Sequence, residues 1–414
     1  MPRDPVVITI VGGGVYSPRL CEALARAIDM PELELRLSAR NRDRLRILAD
    51  HGSQRLLTTT KSGWSVTAAP SLEAALEGAS IAILLARVGG FAARAWDEEF
   101  PRRFGLVGDE GLGPGGIANA WRTVPELDRM AEVIRRIAPA ARIINLMGPL
   151  GITTRLLLER GLEACGICEL PLVTLQTWLA RAHVAQGEAT WRYGGLNHLG
   201  WFWDVEAGGR DLLSLLADRP SPPGEEHPVD RPTLEHFQAA PLRYFYQIFE
   251  AEARERLRLE RRPGRAGELA KLSETLLERF ASAPGTDHPE AHLRATPWLD
   301  RAAAPIASAL LGGPPHSGFA NLRNDGLIPE LPTELVVEVP ATFTQDGASP
   351  VRPGPLPERV AVFLGHAGSA ESLAFAAAER RDPTLLVEAM QALPLPISEA
   401  AVGELAALAR TGPG

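Results

Sequence analysis

The stretch VVITIVGGG, residues 6 to 14, decides the fold. Its first six residues are all β-branched and none is charged, which reads as a strand buried on both faces; a strand with one wet face would alternate apolar with polar residues. Gly12, Gly13 and Gly14 follow at once, and then comes the helical pattern RLCEALARAIDM, residues 19 to 30. Strand, glycine turn and helix in this order form the opening of a dinucleotide-binding βαβ unit. There the glycines let the backbone approach a pyrophosphate, and the helix N-terminus favours its negative charge. The third glycine of that fingerprint falls at Ser17, so a plain strand-to-helix turn is the other reading.

Working outward, LELRLS (33–38), SIAILLA (80–86) and RIINLM (142–147) read as further strands alternating with helical segments. This alternation predicts a doubly wound parallel sheet. The second strand ends in LSARNRDRL, with Ser38 and Arg40 where an NAD-binding sheet usually carries an acid for the ribose hydroxyls. Either NADP is preferred, or the cofactor is held elsewhere, or Ser38 and Arg40 belong to an exposed basic loop.

Beyond about residue 170 the pattern changes to aromatic, strand-like TWRYGGLNHLGWFWDVEA and a Pro-rich loop at 220–232. Long helices near 233–258 and 264–282, the strand ELVVEVPATF and closing helices from 359 onward complete the chain. The predicted fold class is therefore α/β. A Rossmann-like domain spans residues 1–170, and an α+β domain for substrate, metal and oligomerisation spans 171–414, in the manner of lactate and malate dehydrogenases. A length of 414 residues suits two cores better than one.

The 51 acidic residues outnumber the 43 basic ones, for a formal net charge of −8, which leaves no basic surface to carry nucleic-acid affinity. Three cysteines, Cys21, Cys165 and Cys168, cannot form a disulfide framework and suit a reducing cytoplasm. The apolar run at the N-terminus is short and breaks at glycines, and no stretch reads as a bilayer span, so no membrane partner is expected.

Four stretches together resemble glycoside hydrolase family 4, the NAD- and manganese-dependent 6-phospho-glycosidases and α-galacturonidase-like relatives. They are RVGGFAARAWDEEFPRRFGLVGDEGLGPGGIANAWRTVP (87–125), NLMGPLGITT (145–154), GICELP (166–171) with GLNHLGW (195–201), and LPTELVVEVPATFTQDGASPV (331–351). The C-terminal ESLAFAAAERRDPTLLVEAMQALPL is similar to the family's closing helices. The resemblance implies a redox-assisted elimination: oxidation at the sugar C3, removal of the C2 proton, loss of the leaving group from C1, addition of water and return of the hydride. In this respect the family departs from two-carboxylate glycosidases, an exception the general account of glycoside hydrolysis already recognises.

Carried onto this chain, the resemblance makes Cys168 and His198 ligands of Mn2+ or another divalent metal. Tyr244 becomes the C2 base, with Tyr246 as the reserve, and Glu169 the acid at the leaving group. Arg87, Arg94, Glu110, Asn145, Asn197 and Arg265 line the sugar or its phosphate, where the planar fork of arginine suits two oxygens at once. Taken singly, Cys168 reads as a small buried hydrophobe and His198 as a structural histidine. Two departures stand out: Glu169 is a methylene longer than the family's aspartate, and Gly148 replaces an asparagine expected to touch substrate hydroxyls.

The expected activity is that of a 6-phospho-β-glucosidase acting as a homodimer or homotetramer. Two alternatives are an NAD(P)-dependent dehydrogenase of the lactate/malate type and a catalytically silent relative that binds a sugar or nucleotide.

Overall fold

The computed structural model describes residues 5–58, 61–219, 225–250, 264–294 and 296–412. Strand β1 (Val6–Val11) is the expected buried strand, and helix α1 (Ser17–Ala27) follows the glycine turn. The winding continues through β2 (Glu32–Ser38), α2 (Arg42–Leu56), β3 (Gly63–Ala68), α3 (Leu72–Leu76), β4 (Ala79–Leu84) and α4 (Gly90–Glu99). Then come α5 (Gly113–Ile137), β5 (Arg142–Asn145), α6 (Leu150–Glu159), β6 (Ala164–Gly166) and α7 (Leu170–Ala182). These six strands lie parallel in the order β6-β5-β4-β1-β2-β3, with the reversal of winding between β1 and β4. Ligands of doubly wound sheets bind at the carboxyl ends of the strands at that reversal.

Side chains of β1 alternate between two cores. Val7 and Val11 join Ala82, Leu84 and Ile143 beneath α5, whereas Ile8 and Ile10 join Leu35, Leu37, Ile81 and Ile83 beneath α1 and α2. Ile8 and Ile10 have no exposure at all, and burial of that order stabilises by about 1.5–3 kcal/mol per side chain. The absence of charged residues in VVITIV therefore reflects helices on both faces.

The same sheet runs past residue 170 and turns antiparallel. Strands β7 (Ala189–Leu196) and β8 (Leu199–Ala207) form a hairpin, edged by β9 (Arg210–Asp211) and β10 (Ala240–Pro241). Strands β11 (His316–Arg323), β12 (Val336–Thr344) and β13 (Gly347–Pro350) supply the link. The seams are narrow: β11 meets β6 through the single pair Asn321 and Gly166, and β12 meets β7 through Glu338 and Gly195.

Two expectations need correction. The helix predicted over 233–258 is two short helices, Arg231–Phe237 and Arg243–Ile248, and residues 251–263 lie outside the described residues. Pro241 causes the break: it lacks an N–H, pushes its predecessor toward extended geometry and pairs as β10 with Trp201. Helix Glu358–Arg380, moreover, is long and apolar enough by length and composition to cross a membrane. It buries Leu364, Ala367, Ala374 and Phe375 against the protein core, as a core helix does.

Candidate active site

The glycine turn closes tightly on the sheet. Gly12 donates its N–H to Ser38 at 2.8 Å, and its φ of +142° excludes other residues, since a Cβ there would lie 2.9 Å from the backbone of Leu85 and Ala86. Around Gly14 there is open space, with nothing within 4 Å of an added Cβ. The first turn of α1 carries no acid. Open backbone at a helix N-terminus free of carboxylates fits a pyrophosphate. Ser38 is buried at the end of β2 and Arg40 is exposed beyond it. Arg44 braces the turn by donating to the Gly13 carbonyl at 2.7 Å.

Next to this crevice lies the reaction centre. Asn197 and His198 make the two-residue turn of the β7–β8 hairpin, and His198 holds a φ of +66°, a left-handed conformation uncommon outside glycine. The imidazole stacks on Tyr244, with ring centroids 4.2 Å apart and planes 7° from parallel. Burial pushes His198 down to about 4, opposed by Asp109 and reinforced by Arg243, so the ring is neutral at neutral pH and free to ligate a metal. Cys168 follows β6, and burial and then the Glu338 charge push its thiol up. Tyr244 is pushed up to about 12 by burial and by Asp109. Cys168 and Tyr244 therefore each call for a nearby cation before a thiolate or phenolate can form.

Glu169 caps α7, and its Oε2 is buried with no partner among the described residues. Burial raises it to about 7, against the pull of Arg301 and Arg243. A carboxyl poised there can donate a proton near neutrality. At Gly148, an added Cβ would meet only Asn119 Nδ2, at 4.0 Å, so the position lacks a side chain where space exists for one.

An arginine cluster adjoins the centre. Arg87 and Arg94 both pair with Glu110, and Arg94 also pairs with Glu98 at 2.7 Å. Arg294, absent from the sequence expectations, joins them: it lies over the Tyr16 ring at 5.3 Å and within electrostatic reach of Arg94 and Tyr244. Burial, and after it Arg94 and Arg294, push Arg87 down to about 9. Asp109 was missed as well, and it accepts from the N–H groups of Gly111 and Leu112 at 2.7 and 3.1 Å.

Two sequence candidates stand apart from this centre, and a third lies at its rim. Asn145 is fully buried, donating to Thr153 and Thr154 at 2.9 Å and accepting from the Met147 N–H, so its amide is used up within its own turn. Tyr246 points the other way, its hydroxyl accepting from Asp230 N–H at 3.4 Å. Arg265 is exposed and pairs with Glu268 at 2.9 Å, at the rim of the arginine cluster and within electrostatic reach of Arg294 and Tyr16.

No group of three or more His, Cys, Asp or Glu suited to a metal exists among the described residues. Cys168 and His198 would thus be a two-ligand site with open positions, and the borderline-soft donor pair leaves the hard part of the shell to substrate oxygens.

A dinucleotide-type crevice opening onto a polar reaction centre defines an α/β enzyme built on the lactate/malate dehydrogenase plan. Residues 7–183 match the Family 4 glycosyl hydrolase domain and residues 193–395 the Family 4 glycosyl hydrolase C-terminal domain. The chain belongs to family 4 of the glycosyl hydrolases, enzymes that hydrolyse glycosidic bonds. It is 26% identical over 415 residues to the "Probable 6-phospho-beta-glucosidase" of Bacillus subtilis, covering 95% of this chain and 93% of that one. The structure of the 6-phospho-beta glucosidase from Thermotoga maritima with manganese, NAD+ and glucose-6-phosphate superposes with a TM-score of 0.83 at 22% identity, covering 98% and 97% of the two chains. A lactate dehydrogenase from a deep-sea metagenome library shares the architecture more loosely, with a TM-score of 0.54 at 12% identity over 91% of this chain and 99% of its own.

Proposed function

We propose that this chain cleaves a 6-phosphorylated β-glucoside by redox-assisted elimination, with NAD and a divalent metal such as Mn2+. The observation that carries this reading is the His198–Tyr244 stack, set beside Cys168 and bordered by the glycine crevice and the arginine cluster. When bound, NAD supplies a reversible hydride acceptor for C3, and the metal, held by Cys168 and His198, supplies Lewis-acid polarisation of the C3 oxygen. Tyr244 takes the C2 proton on its phenolic oxygen. Glu169 delivers a proton to the departing oxygen at C1. Arg87, Arg94 and Arg294 hold the anionic end of the sugar, and Asn197 holds the turn that carries His198. The 6-phospho-β-glucosidase names of the Bacillus subtilis and Thermotoga maritima relatives support the phosphorylated β-glucoside as substrate. A plain dehydrogenase would leave the Cys168 and His198 pair without a task.

Purified protein with NAD+, Mn2+ and reductant should release nitrophenol from a nitrophenyl β-glucoside 6-phosphate with no added oxidant. Cys168→Ser and His198→Ala should each abolish the Mn2+ requirement together with the activity while circular dichroism stays unchanged. Stoichiometric NADH accumulation with no bond cleavage would instead establish a dehydrogenase.

A further inference from the structure

Glu338 is a carboxylate with no exposure, placed in the middle of the sheet on β12. Three side chains converge on it: the Tyr193 hydroxyl at 2.5 Å, the Asn197 amide at 3.0 Å and the Asn321 amide at 2.8 Å. All three contacts are donors to an acceptor, which suits a carboxylate, and none is a cation. Burying a charge in this way is costly unless something opposite compensates it.

The donors come from three strands or their turns, and they meet where the sheet is thinnest. Asn321 and Gly166 make the only registered pair between β11 and β6, and Glu338 and Gly195 the only one between β12 and β7. Cys168 lies two residues beyond Gly166, and His198 three beyond Gly195. The Asn197 amide that donates to Glu338 belongs to the residue just before His198 in the β7–β8 turn. One amide thus ties the buried carboxylate to the turn that carries His198.

We propose that Glu338 is a positioning residue that, through Asn197, fixes the turn carrying His198 for a divalent cation. The inference rests on the Cys168–His198 reading above. Outer partners of this kind orient the ligands and tune their affinity, and removing one typically weakens metal binding by about 10- to 100-fold.

The test uses the full chain without substrate or NAD. Mn2+ affinity is read from the free-ion electron paramagnetic resonance signal, and cysteine ligation from the thiolate-to-metal charge-transfer band of the Co2+ form. Glu338→Gln should weaken Mn2+ binding about 10- to 100-fold and shift the band, while NAD+ affinity stays unchanged. Asn197→Ala should do the same, and the double variant should be no weaker than Asn197→Ala alone. Wild-type affinity and band in a folded Glu338→Gln protein overturn the proposal, as does a double variant that loses the sum of both effects. Should Glu338→Gln fail to fold, an Asn197→Ala protein with wild-type affinity and band overturns it equally. Failure of the metal-site reading looks different: wild type and Cys168→Ser then bind Mn2+ alike, and the Co2+ form has no charge-transfer band.

Discussion

The imidazole of His198 lies face to face with the phenol of Tyr244, centroids 4.2 Å apart and 7° from parallel. A group on a metal carried by the one ring is therefore within reach of the hydroxyl of the other. The stack also separates packing from chemistry, because a phenylalanine can keep the ring contact while losing the oxygen.

Tyr244→Phe should accordingly fold normally and lose about 100- to 10,000-fold in cleavage rate. Elimination exchanges the C2 proton with solvent, so product formed in D2O by the wild type carries deuterium at C2, readable by proton NMR. Exchange and cleavage should fall together in the variant. Cleavage by the wild type without label at C2 would remove the elimination pathway.

Arg294 and Arg265 offer a matched pair of controls. Arg294→Ala should raise KM for the 6-phosphorylated glycoside by about 10-fold or more, as expected for loss of a charge-assisted hydrogen bond of about 1.5–3 kcal/mol. Arg265→Ala, at an exposed ion pair, should change it little. Steady-state kinetics on phosphorylated and unphosphorylated substrates decide the matter, and equal effects of the two substitutions would dissolve the inner cluster as a phosphate site.

Gly12 and Gly148 should respond in opposite ways. Gly12→Ala places a Cβ 2.9 Å from the Leu85 and Ala86 backbone at a φ of +142°, so thermal stability and NAD+ binding should both drop. Gly148→Asn enters open space and should stay within about 0.5 kcal/mol of wild-type stability while altering KM for the sugar. Calorimetric melting of the two variants, followed by NAD+ titration, checks both halves.

His51 gives a pH dependence away from the catalytic centre. It stacks on Phe280 at 3.8 Å and accepts the Gly285 N–H at 3.1 Å. Burial, His288 and Arg55 push it down to about 4 from an ordinary value of 6.5. Between those two values the unfolded chain binds a proton that the folded chain refuses, so stability should be full above pH 6.5 and decline as the pH falls toward 4. Denaturant midpoints measured across this range should flatten in His51→Gln, which keeps an acceptor but cannot take up the proton.

What was legible in the chain follows from how local the causes are. β1 and its glycine turn are set by neighbouring residues, and VVITIV could only be a strand covered on both faces. Cys168, His198 and Tyr244 were legible because each sits in a distinctive short motif. Arg294 was not: it stands in a plain loop and reaches Arg94 only through the fold. Glu338 hid in the same way, inside a run of valines that reads as ordinary β-strand, with Tyr193, Asn197 and Asn321 brought to it by strand pairing alone. Arg265 was preferred for the substrate because charge type is visible in a sequence, whereas depth is not.

The narrow seams at Asn321–Gly166 and Glu338–Gly195 also bear on how the chain can be divided. A fragment ending after the parallel strands would carry β6 as a bare edge, with Cys168 beside it. The complementary fragment would bare the edge of β11 and strand Glu338 without its task. Exposed edges of this kind invite pairing with other chains. The two pieces are therefore poor candidates for separate expression, but good ones for a split reporter in which renewed strand pairing and restored metal binding are the same event.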